Sequence, residues 1–160
     1  MIAPIITLRI AGRAATKGRP RFNAQTGQVH TPPSNIISEN DVRAVWREAG
    51  EPRLPDDTAL TLDVVVFVVR PAGHFRKDGS LSAEGRRHPV PRTQKPDLDN
   101  MVKLLMDALE TRAYRNDVRI SRISAERRWG EWPETVLALA PAVRFRASLM
   151  SATDFEAAAS

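Results

Sequence analysis

The sequence predicts a single α/β domain with a mixed β-sheet and two main helices, and three observations carry that prediction. The run Leu60–Val69 is apolar at every alternate position from Leu60 to Val68, and Val65, Phe67 and Val69 make its far half apolar on both faces. That is the pattern of a central strand covered on both sides. Residues 97–110 place Leu98, Met101, Val102, Leu105, Met106 and Leu109 at helical spacing. Strand-like and helix-like segments alternate around these two over 160 residues, a length that holds one domain with a real hydrophobic core.

The elements follow in order. Residues 5–10 alternate as a first strand, with Ile6, Leu8 and Ile10 on one face. The basic segment KGRPRF (17–22) comes next, and NAQTG (23–27) reads as a turn. Beyond Pro32 and Pro33, Ser34 is placed to cap a helix running to about residue 49, with Ile36, Ile37, Val42, Val45 and Trp46 as its apolar side. Residues 50–57 form a loop. After the central strand, residues 70–95 turn basic and polar. A stretch this long inside a compact domain is either functional or disordered, and Gly73, Gly79 and Gly85 would let it move.

Pro96 stands at the start of the second main helix. Residues 118–129 read as a strand whose apolar register slips after Ile120, which predicts a bulge or bend. After a turn around Gly130 and Pro133, residues 135–140 form a last strand, with Val136, Leu137 and Leu139 as core. The domain is drawn at 1–146, and the small, polar tail 147–160 is expected to be poorly ordered.

Composition narrows the function. There is no cysteine, so disulfides, thiolate zinc sites and cysteine nucleophiles are excluded, and a reducing cytoplasm fits. His30, His74 and His88 are scattered without zinc-ligand spacing. Trp46, Trp129 and Trp132 are read as core or interface. The N-terminus lacks a basic region ahead of its short apolar stretch and does not read as a signal peptide; the longest apolar run is far short of a membrane span. With 24 Lys and Arg against 19 Asp and Glu, the chain suits a polyanionic partner such as nucleic acid, although the same charge also serves solubility.

The candidate chemistry lies in KPDLDN (95–100), which sets Asp97 and Asp99 two residues apart at a helix start. Two carboxylates so close repel unless a cation or proton sits between them. Lys103 follows one turn after Asp99 on the same face. Asp117 comes where the next strand begins, and a strand packed beside the helix would return it to the first two. Magnesium takes such hard oxygen ligands together with water and substrate phosphate. With two ions, such a site can activate water and stabilise the leaving oxygen of a phosphodiester, while an ammonium offsets charge developing on the phosphate. The plainer alternatives are that an Asp caps the helix, that Asp117 is a turn residue, and that Lys103 pairs on the surface with Asp107.

KPDLDNMVKLLMDALE followed by AYRNDVRI resembles the signature of the RusA family of Holliday-junction resolvases, the crossover junction endodeoxyribonucleases. KGRPRF resembles that family's early basic motif, so the similarity runs in order from Lys17 to Ile120. The resemblance implies the family's α/β domain acting as a homodimer with two active sites. It implies magnesium, with manganese as a substitute, held by Asp97, Asp99 and Asp117, and an essential Lys103; Asp107, one turn beyond Lys103, is read from its position as an orienting partner rather than a ligand. Where the family often has two consecutive Asp, this chain has Asn116 then Asp117, and the ligand role goes to Asp117.

The activity implied is paired cleavage of four-way DNA junctions in recombination and repair, in the cytoplasm of a bacterial or phage-infected cell. Lys17, Arg19 and Arg21, spaced by two, would show to one side of an extended chain and contact phosphates. Arg76, Lys77, Arg86, Arg87, Arg92 and Lys95 would wrap a branched substrate, or belong to a flexible linker that orders on binding. The rivals are a nuclease for other branched or flapped DNA, a junction-binding protein without catalysis, and a basic structural protein of a phage particle.

Overall fold

A computed structural model describes residues 5–15, 21–22, 24–25, 29–30, 33–91 and 97–142. The expected tail 147–160 lies outside them, as do Lys17, Arg19, Arg92 and Lys95. Four strands form a mixed sheet in the order β1-β6-β4-β5, where β1 is Ile6–Ala11, β4 Leu60–Val69, β5 Ile120–Gly130 and β6 Glu134–Pro141. β4 runs parallel to β5 and antiparallel to β6. A two-residue pair, β2 (Arg21–Phe22) with β3 (Val29–His30), flanks the turn at residues 24–25.

β4 is the inner strand its composition predicts: every residue from Leu60 to Val66 is buried. Its one charge, Asp63, is buried against Arg122, which donates to it at 2.6 Å. The expected irregularity in β5 lies at its first residues. Leu60 pairs with Ile120 but Thr61 pairs with Arg122, so Ser121 is the extra residue, and its hydroxyl donates to the Leu60 carbonyl at 3.1 Å.

Helices α1 (Pro33–Glu48) and α3 (Leu98–Leu109) pack on one another over the sheet face that carries Ile6, Leu8, Leu62 and Val64. Arg43 ties the two helices, donating to the Ala108 carbonyl at 3.2 Å. The expected apolar side of α1 is half right. Val42 and Trp46 are buried, but Ile36 and Ile37 are 53% and 63% exposed. Asn35, seven residues before Val42, shares its face and takes the inward place. The helix also begins at Pro33, whose fixed φ suits a first turn, so Ser34 lies inside it rather than capping it.

Residues 70–91, expected to be either functional or disordered, form a folded unit. After a 3₁₀ turn at Ala72–His74, Phe75 bridges to Leu81, and Ser82 caps the short helix α2 (Ala83–Arg87) by accepting from the Gly85 N–H at 3.1 Å. Arg70 lies over the Trp129 ring, 4.8 Å from its centroid, and donates to the carbonyls of Gly85 and His88. The Trp129 indole also donates to His88, whose ring stacks on His74 at 5.6 Å. Gly85 serves close packing: a Cβ there would stand 2.2 Å from the His74 carbonyl oxygen.

Candidate active site

Asp97 is the N-cap of α3, yet its side chain makes no capping hydrogen bond to the described helix backbone. Capping therefore does not account for its carboxylate. Asp99 follows in the first turn, where the helix dipole favours an anion. Asp99, Lys103 and Asp107 recur every four residues and form one stripe along α3.

Asp117 arrives from a different element, as the first residue of a 3₁₀ turn (Asp117–Arg119) that leads into β5. The turn is fixed by side chains that leave the Asp117 carboxylate uncommitted to it. Asn116 accepts from the Val118 N–H at 2.9 Å, and Glu110 accepts from the Asp117 N–H at 3.2 Å. Buried Tyr114 anchors the same connection by donating to the Met106 carbonyl at 2.8 Å. Burial, and then the charges of Glu110 and Asp117, push the Tyr114 pKa above its ordinary value, so the phenol keeps the proton that bond requires.

Asp99, Lys103, Asp107 and Asp117 meet on a groove of about 510 Å³, with Val102, Met106, Ile123 and Ala125 among its apolar lining. Two of the three expected metal ligands and the expected lysine are thus brought together. Asp97 does not line the groove; it stands at the helix start beside it. The Asn116–Asp117 pair divides its roles, with Asn116 spent on the turn and Asp117 on the groove.

Among the described residues, no three carboxylate or imidazole groups are gathered closely enough to hold a metal ion by themselves. Two carboxylates on one groove still match magnesium, which keeps several waters and is commonly bound through one or two carboxylates plus substrate phosphates. The charged donors are hard carboxylate oxygens, and among the described residues no thiolate or imidazole lines the groove.

Of the basic residues expected at DNA, Arg76 and Lys77 are exposed, next to the Gly79 turn. Arg86 donates to the Leu81 carbonyl at 2.7 Å, and Arg87 lies 3.7 Å from Glu84. None of these four lines the acid groove. Arg21 lies in β2, and its side chain is outside the description. Sequence reasoning missed Glu110 and the cluster of Arg70, His74, His88 and Trp129. The histidines that look scattered in the chain are stacked in space, and no local spacing announces a contact that spans 41 residues from His88 to Trp129.

The family model described as Endodeoxyribonuclease RusA matches residues 11–140. The chain is also 26% identical over 131 residues to the Uncharacterized protein YqaN of Bacillus subtilis (strain 168), covering 80% of this chain and 90% of that protein. Among the described residues no helix is long and apolar enough to cross a membrane.

Proposed function

Because the chain belongs to the RusA endodeoxyribonuclease family, we propose that it is a magnesium-dependent, homodimeric nuclease that resolves four-way DNA junctions by paired phosphodiester cuts. Asp97, Asp99 and Asp117 are the metal-binding carboxylates and Lys103 the cation at the scissile phosphate. The observation that carries this reading is the meeting of Asp99, Lys103 and Asp117 on one groove, although Asp117 belongs to a different element.

A bound magnesium ion, or manganese in its place, would supply Lewis acidity toward a phosphoryl oxygen and a means of acidifying water. The chain's own residues do the rest. Asp99 and Asp117, which both line the groove, would fix where the cation and phosphate sit. Lys103 offers an ammonium to the charge that develops on the phosphate, and Asp107, one turn further, orients that ammonium. Glu110 and Asn116 hold the Asp117 backbone in place. Lys17, Arg19, Arg21, Arg76, Lys77, Arg86, Arg87, Arg92 and Lys95 are proposed to hold the branch through its phosphates. Two copies related by a two-fold axis would present one acid groove to each of two strands.

The test is cleavage of a four-way junction, a flapped duplex and a linear duplex, each with magnesium, manganese or EDTA. Paired cuts at the junction alone, lost in EDTA, are expected. Cuts confined to flaps would replace the junction by another branched substrate. Tight junction binding without cuts under either metal would overturn the catalytic reading. Equal affinity for branched and linear DNA would point to a basic structural protein.

A further inference from the structure

The acid groove does not end at Asp99. The core-facing row of β5 is Ile123, Ala125, Arg127 and Trp129, which pair with Leu62, Val64, Val66 and Val68 of β4. Ile123 and Ala125 line the acid groove, whereas Arg127 and Trp129 line a second cleft of about 780 Å³. Helix α3 divides its side chains likewise, giving Asp99 and Val102 to the groove and Met101 to the cleft. The two concavities are therefore consecutive along one strand, and Ala125 and Arg127 are about 7 Å apart along it.

The chemistry of the cleft is mixed in a particular way. Arg13 and Arg127 supply two guanidinium groups, and Phe67, Met101 and Trp129 supply apolar surface. Among its described lining residues the carboxylate is Glu84, which is engaged with His88 at 2.9 Å. Gly12, at φ 96° and donating to the Pro133 carbonyl at 2.9 Å, turns the chain off β1 so that exposed Arg13 reaches the cleft. Trp129 is held there by Arg70 and by its bond to His88, so the folded unit at 70–91 braces one wall. Cations for phosphate beside aromatic surface for sugar and base is how single strands are bound. A volume of this size suits one or two nucleotides.

We propose that this cleft is a subsite for the one or two nucleotides that adjoin the scissile phosphate on the strand being cut, with Arg13 and Arg127 on their phosphates. The inference rests on the nuclease reading, because that reading places the scissile phosphate in the acid groove.

The test begins by mapping the cut in a four-way junction with the wild-type protein. Junction affinity is then measured in EDTA, by fluorescence anisotropy, for wild type, Arg13→Ala, Arg127→Ala and Arg127→Lys. Each alanine variant is expected to bind roughly tenfold more weakly and to lower the salt slope by about one, while Arg127→Lys keeps most of the slope. Neutral methylphosphonates are next placed singly at the first three phosphates on either side of the cut. At one position the substitution should weaken wild type yet add nothing to an alanine variant, since both remove the same contact.

Arg13 is exposed in a loop, so Arg13→Ala carries the same test alone if Arg127→Ala fails to fold. Wild-type affinity and slope in the alanine variants, or additive losses at every methylphosphonate, would overturn the subsite while junction cutting left the nuclease standing. A wild-type protein that neither binds nor cuts the junction would overturn both.

Discussion

Asp99→Asn is expected to slow junction cleavage by about 10³-fold, the order of loss when a preorganised electrostatic contact to a reacting phosphate is removed, while junction binding in EDTA persists. Asn keeps the shape of the side chain and removes its charge, so the change isolates what the carboxylate does. Asp99 is exposed and lines the acid groove, with little packing to disturb. Its structural contribution is a negative charge in the first turn of α3, worth about 0.3–1 kcal/mol against the helix dipole. A thousandfold rate loss corresponds to about 4 kcal/mol, so catalysis and stability separate cleanly. Single-turnover cleavage beside a thermal melt checks both. A variant that cuts within a few-fold of wild type would remove Asp99 from the mechanism.

Leu104→Ala is expected to give the complementary result, with stability lost and the groove retained. Leu104 is 2% exposed on α3 and packs into the cluster shared by α1, α3 and the sheet. Truncating such a side chain costs about 2–5 kcal/mol, because the lost transfer energy is joined by a cavity that closes only in part. For a chain of this size, a loss of about 3 kcal/mol lowers Tm by roughly 6–12 °C. By contrast, breaking the exposed Arg87–Glu84 pair is expected to cost under about 1 kcal/mol. Leu104 follows Lys103 directly but does not line the acid groove. Well below its lowered Tm, the variant should therefore still cut. An unchanged Tm would contradict the packing of α3 described above.

What could be read from the residues was whatever repeats locally. β4 is apolar on both faces, and α3 keeps a helical stripe, so both elements stand where their patterns put them. The slip after Ile120 was legible for the same reason, since one extra residue changes the parity of a strand. α1 shows the limit: Ile36 and Ile37 are apolar enough to suggest an inward face, but Asn35 occupies it. At 70–91 nothing repeats. Order there comes from Arg70, Gly85, His88 and Trp129, whose contacts cross up to 41 residues of chain.

The site divides in the same way. The spacing of Asp97, Asp99 and Lys103 is local and was visible. The convergence of Asp117 depends on how the connection after α3 is held, through Glu110, Tyr114 and Asn116, and their hydrogen bonds follow no motif. The cleft of Arg13 and Arg127 was invisible because its walls come from β1's end, β4, β5 and the 70–91 unit at once.

The central claim is that the carboxylates at the start of α3 and at Asp117 hold a divalent cation where DNA is cut. Manganese titrated into isotope-labelled protein with a bound junction tests it most directly, because a paramagnetic ion broadens the amide resonances nearest to it. The account predicts saturable broadening centred on residues 97–103 and 116–118, reversed by excess magnesium and lost in Asp99→Asn. Broadening centred elsewhere, or none that saturates, would contradict it.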